Sequence, residues 1–140
     1  MKHIYVAGPF RSKFNDEWQR HLNILAAEAV GPAIARAGCL PMIPHTMLRN
    51  FQGLAGIEDS FWLEATLSML KRCDALILLP TWEVSIGSKG EAAQAKVDDL
   101  PILDLVRIED SWRTSAVTAF CIAVRNGDAP PGIWTKTWRP

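Results

Sequence analysis

The chain has 140 residues, enough for one domain around a single core. Fifteen basic and fifteen acidic residues cancel, so charge gives no reason to expect polymeric nucleic acid or a membrane surface as partner. No apolar run approaches the ~20 residues of a spanning helix, and Met1-Lys2-His3 leads into strand-like sequence rather than a secretion signal. Three cysteines, Cys39, Cys73 and Cys121, are odd in number and sit in apolar surroundings. They read as free thiols in a reducing compartment, which makes a cytoplasmic location the expectation.

In chain order, His3 to Ala7 is a β-rich first strand, central and buried, ended by Gly8-Pro9. Asn15 or Asp16 caps a first helix whose inner face is Trp18, Leu22, Leu25 and Ala29. Gly38 stops that helix, and Pro32 predicts a break near Gly31-Pro32. Leu40 to Ile43 is a short strand, placed at an edge by Pro41. Pro44 to Ile57 is the longest irregular connection, of a length that is commonly functional. Asp59 or Ser60 caps a second helix through about Arg72, with Leu63, Leu67 and Leu70 inward. Ala75 to Leu79 is the third strand, Ser88 to about Asp98 the third helix, and Pro101 to Val106 the fourth strand. Asp110 or Ser111 caps a last helix ending near Asn126-Gly127. Its segment Ala116 to Val124 is apolar nearly all round, which requires cover on two sides and suits a contact between subunits.

Six tryptophans are many for this length, and Trp134 and Trp138 fall in a tail over 129–140. Such a tail folds back on its own domain or docks on a neighbour. Strands alternating with helices give a single α/β domain over 1–140. It is a doubly wound parallel sheet of four to five strands in a three-layer sandwich, flavodoxin-like or Rossmann-like. Right-handed crossovers place the loop Gly8-Pro9-Phe10-Arg11 opposite Trp82 to Gly90 across one crevice.

Glu91 is the candidate catalytic residue in that crevice. Ser88-Lys89-Gly90-Glu91 has the spacing of a capping box, which is the alternative role. Against a purely structural role, Gly87 and Gly90 flank the site, and Gly90 costs about 1 kcal/mol of helix propensity, as if something approached its backbone. Amides at a helix N-terminus keep a carboxylate ionised, as a nucleophile requires. Arg11 and Ser12, with the loop amides, suit a phosphate; the alternative for Arg11 is a solvated loop position. Trp82 is placed to stack on a base, with core packing as the alternative, and His45 to contact ligand, with a structural or solvated loop position as the alternative. His3, His21 and His45 lack partners at metal-ligand spacing, so no metal is expected, and no motif calls for a cofactor.

Taken together, IYVAGPF at the N-terminus and CDALILLPxWxxSxGSxxE in the middle resemble the nucleoside 2-deoxyribosyltransferase superfamily. The closest part is a branch with PH after the second strand and D-x-F-W before the second helix; the similarity covers roughly residues 3–104. The S-x-G-x-x-x-E arrangement of Ser85, Gly87 and Glu91 is similar to that of 2'-deoxynucleoside 5'-phosphate N-hydrolases. The resemblance implies Glu91 as nucleophile on the anomeric carbon and Ser85 as a phosphate or sugar contact. Tyr5, Gly8, Pro9, Phe10, Arg11 and Ser88 join it in the expected binding site. These enzymes place an aspartate about two helical turns before the position of Asp74, where this chain has Thr66, and Glu64 nearby belongs to another helix face. Proton donation to the departing base is therefore unassigned.

The expected ligand is a nucleoside or nucleotide, and the expected activity is cleavage or transfer of its N-glycosidic bond by a homo-oligomer, dimer or tetramer. A non-catalytic nucleotide-binding module and a structural oligomeric protein are the alternatives.

Overall fold

The computed structural model describes residues 1–11, 16–51 and 53–136. Ser12, Asn15 and Trp138, to which roles were given above, lie outside them. The expected doubly wound sheet is present. Its five strands, β1 (His3–Ala7), β2 (Leu40–Met42), β3 (Ala75–Leu78), β4 (Pro101–Asp104) and β5 (Gly132–Ile133), are all parallel, in the order β2-β1-β3-β4-β5. That is the flavodoxin-like order, whose switch point lies between β1 and β3. The inner strands β1 and β3 are continuous apolar runs because helices cover both their faces. Pro41 sits on the edge strand β2, where its missing N–H breaks no ladder.

Strand alternation divides the core in two. Ile4, Val6, Ala75, Ile77 and Leu103 face helices α1 (Glu17–Glu28), α2 (Gly31–Arg36) and α6 (Arg113–Asn126). Tyr5, Ala7, Leu76, Leu78 and Ile102 face α4 (Asp59–Leu70) and α5 (Ile86–Val97). The steps β1 to β2, β2 to β3 and β3 to β4 share one hand. The step β4 to β5 carries α6 on the same face as α1 and α2 but runs the other way along the sheet, so its hand is opposite.

Asp16 caps α1, accepting from the N–H groups of Trp18 (2.9 Å) and Gln19 (3.4 Å). The break at Gly31-Pro32 is present: α2 begins there with Pro32 in its first turn, where no N–H is needed. Gly38 then leaves the helix at φ +84°. The inner face expected for α1 is wrong. Trp18, Leu22 and Leu25 are exposed, while Ile24 and Ala27 point inward. Most of the cover over β1 and β2 comes instead from Ala33, Ile34 and Ala37 at and beside α2.

Five further expectations change. The connection after β2 starts as a short helix, α3 (Pro44–Leu48). Helix α4 is preceded by Glu58 at its cap, and Leu63 turns out of the core, 49% exposed. β4 stops at Asp104, whose carboxylate accepts from the N–H of Val106 and opens a 3-10 turn over Leu105–Arg107. Another 3-10 turn, Asp110–Trp112, precedes α6, and Trp112, not Asp110 or Ser111, is its cap.

The second cover on α6 is supplied within the chain. Residues of α2 pack on it, and Trp134, after β5, meets Phe120 edge-on with ring centroids 5.6 Å apart. The tail therefore folds back on its own domain as far as it is described. Cys39, Cys73 and Cys121 are buried free thiols. No helix among the described residues is long and apolar enough to cross a membrane.

Candidate active site

Beyond the carboxyl ends of β1 and β3 lies a cavity of about 900 Å³, the size of a small-molecule site, at the switch point of the sheet. One wall is the loop after β1, with Gly8, Pro9, Phe10 and Arg11. The facing wall is Val84 to Gly87, at the start of α5, with Glu91 one turn further on. The rest is closed by Pro44, His45 and Leu48 of α3, and by Asp59, Trp62, Leu63 and Thr66 of α4.

The β1 loop is held from two sides. Gly8 is packed so tightly that a Cβ there would lie 2.5 Å from Leu79 Cδ1. His45, a buried helical residue rather than a loop contact, places Nε2 3.1 Å from the Gly8 carbonyl and 2.9 Å from that of Pro9. Both partners are acceptors, so Nε2 carries the proton and donates, and Nδ1 is the acceptor nitrogen. Burial lowers the pKa of the ring and keeps it neutral at pH 7. Phe10 leans edge-on against it at 5.8 Å. At the rim, Arg11 Nη1 donates to Asp59 Oδ2 at 2.6 Å and Nη2 donates to Oδ1. The pair raises the Arg11 pKa and holds the Asp59 carboxyl below its ordinary range.

The capping box is absent. Helix α5 starts at Ile86, and its cap is Ser85, whose Oγ accepts from the Ser88 N–H at 3.2 Å. Ser88 is the third helical residue, buried, and does not line the cavity. Glu91 thus falls in the second turn, beyond the open amides of the helix start. The expectation that those amides keep it ionised is overturned: burial pushes its pKa up to about 7, while neighbouring Tyr5 pulls the other way. Glu91 Oε2 is shielded from solvent and has no hydrogen-bond partner among the described residues.

Tyr5 lies beneath the cavity rather than in its wall, with no exposed surface. Burial, then the carboxyl of Glu91, raises the phenol pKa well above 10, so it stays protonated. Tyr5 and Glu91 are close enough to perturb each other's ionisation, yet the Tyr5 hydroxyl has no partner at bonding distance. Thr66, where the resemblance expects an aspartate, gives its hydroxyl proton to the Leu63 carbonyl (3.1 Å). Glu64 is exposed on another face of α4.

Trp82 does not reach the cavity. It packs on the core between the sheet and α5, donates Nε1–H to Asp104 Oδ1 at 3.1 Å, and borders a separate shallow depression with Lys89 and Lys96. Trp82 is only partly buried, and it turns toward the core because its one donor is satisfied there. Gly87 does line the cavity, and a Cβ on it would meet Leu63 Cδ2 at 3.4 Å and Glu91 Oε1 at 3.9 Å. Gly90 faces open space, so no close approach explains it.

Sequence reasoning missed Asp59 as a lining residue, and with it Trp62 and Leu63. The D-x-F-W string that carries Asp59 and Trp62 was the available signal. The indole N–H of Trp62 is buried without a partner, as are His45 Nδ1, Glu91 Oε2 and the Tyr5 hydroxyl. Native interiors leave few such groups, so their concentration around and beneath the cavity suits a polar ligand. No cluster of His, Cys, Asp and Glu able to hold a metal occurs among the described residues.

A crystal structure of a conserved protein from Enterococcus faecalis V583 is similar, with a TM-score of 0.53 and 17% identity. The match covers 74% of this chain and 62% of that one, so this chain spans less than two thirds of its length; the likeness is one of fold. No curated protein matches the sequence. The model of a domain of unknown function, DUF4406, matches residues 2–104, which include every described residue lining the cavity. On that match the chain belongs to the DUF4406 family.

Proposed function

We propose that the cavity binds a nucleoside or nucleotide and that Glu91 cleaves or transfers its N-glycosidic bond. The observation that carries this reading is the Glu91 carboxyl: half-buried, with Oε2 shielded and unpartnered among the described residues, and set in an otherwise largely apolar cavity at the switch point of the sheet. The sequence resemblance to nucleoside 2-deoxyribosyltransferases supports the same residue. In the proposed first step a Glu91 oxygen bonds to the anomeric carbon while the bond from that carbon to the base nitrogen breaks. The base leaves with the electron pair and takes a proton. In the second step water or another base attacks the anomeric carbon and frees the carboxylate. Phe10 and Trp62 offer flat apolar surface for a base.

A nucleophile must be ionised. With its pKa near 7, Glu91 is protonated at pH 5 and ionised at pH 8, so the rate should rise with pH through about 7. The test is release of free base from a panel of nucleosides and their 5'-monophosphates, wild type against Glu91→Gln. Base release that persists at the wild-type rate in the variant overturns the assignment.

A second reading, binding without turnover, is favoured by Thr66. Its hydroxyl is committed to a backbone carbonyl, so it is a poor proton donor to a leaving base. Saturable binding with no free base would select that reading. A homo-oligomer and a cytoplasmic location belong to the same proposal. The exposed Phe61, Leu63, Val84 and Ile86 support the first, and the three free cysteines support the second.

A further inference from the structure

Charge is arranged differently at the rim and at the floor of the cavity. Arg11 is the only Lys or Arg among the described residues that line it. Its guanidinium is taken by Asp59, with Nη1 to Oδ2 at 2.6 Å and Nη2 to Oδ1. The two side chains keep 45% and 66% of their exposure, which puts them at the open rim. The other titratable groups lining the space are Glu91, an acid, and His45, neutral at pH 7. Among the described residues lining the space, one positive charge therefore faces one carboxylate at the rim and a second, partly ionised, at the floor.

We infer that Asp59 is a specificity-determining residue that cancels Arg11 and selects an uncharged nucleoside over its 5'-monophosphate. This deepens the nucleoside reading above and rests on it. The forked guanidinium is a natural phosphate receptor, but here the same donors are aimed at a carboxylate of a neighbouring helix. Exposed pairs are weak, so displacing Asp59 is cheap. The cost lies in what remains, since a displaced carboxylate still stands close to the incoming dianion. A 5'-hydroxyl meets no such repulsion. The first turn of α5 also borders the cavity and favours anions, but that contribution is common to wild type and to an Asp59 variant.

The experiment is a calorimetric titration at pH 7 and low salt with the common ribo- and deoxynucleosides, their 5'-monophosphates and inorganic phosphate. It uses wild type, Asp59→Asn and the double variant Asp59→Asn with Arg11→Gln, each checked for folding by circular dichroism. Wild type should bind the best nucleoside at least as tightly as its monophosphate. Asp59→Asn should tighten monophosphate binding about tenfold relative to nucleoside binding. The double variant should lose that gain. A tenfold preference of wild type for the monophosphate overturns the inference and leaves the nucleoside reading standing. So does an unchanged ratio in Asp59→Asn, or a gain that survives in the double variant. Failure of wild type to bind either class overturns both.

Discussion

On one face of the sheet Ile4, Val6, Ile77 and Leu103 meet α2 and α6, and Phe120 is wholly buried against Trp134. On the other, Tyr5, Ala7, Leu76 and Leu78 meet α4 and α5, and the packing stops short at the strand ends. The same strands supply both faces, one residue out of phase. What differs is the covering layer. The first is closed by small and apolar side chains, and its burial becomes stability. The second leaves Glu91, Trp62 and His45 around a cavity with polar atoms unpartnered among the described residues, and its burial becomes a perturbed carboxyl.

Truncation on the closed face should be the most damaging change. Phe120→Ala is expected to cost about 3–5 kcal/mol in denaturant unfolding, against under about 1 kcal/mol for Leu63→Ala at the cavity, which is already half exposed. Equal losses would break the contrast.

The next largest effect has the opposite sign. The Glu91 pKa is about 7 folded against an ordinary 4.5. Below about pH 4.5 the group is protonated in both states and costs nothing. As pH rises through 7 the unfolded chain is already ionised while the folded protein must ionise a buried group, so stability falls by about 3 kcal/mol. Glu91→Gln should therefore stabilise the protein by up to that amount at pH 8, with the gain vanishing near pH 4.5. A gain independent of pH would mean that burial of the charge is not its source.

Gly8→Ala places a methyl group inside contact distance of Leu79 and should cost about 1–3 kcal/mol, with the β1 loop displaced from His45. Unfolding together with the amide shifts of the loop would show it. Smallest is Ser85→Ala, which removes the α5 cap for about 1 kcal/mol. The same loss from Ser88→Ala would restore the capping box that the structure replaces.

Much of this was legible in the chain. The apolar runs at His3–Ala7 and Ala75–Leu78, the edge-marking Pro41, the break at Gly31-Pro32 and the alternation of strands with helices led to the doubly wound sheet. Crossover handedness then brought Gly8-Pro9-Phe10-Arg11 opposite the segment before Glu91, where the cavity is. These features are local, or follow from local ones through chain geometry. The start of α5 was misjudged because Ser85 and Ser88 are both competent caps, and the choice depends on where the turn after β3 delivers the chain. Trp82 turned inward because Asp104, on a different strand, offered an acceptor.

Sequence by itself determined which segments become strands and which loops meet at their ends, because periodicity and breakers act over a few residues. Tertiary structure alone decided that Glu91 is neither cap nor fixed anion, that Asp59 engages Arg11, and that Trp62 lines the space. Desolvation and ion pairing are set by neighbours distant in sequence: Tyr5, 86 positions before Glu91, and Asp59, 48 positions after Arg11.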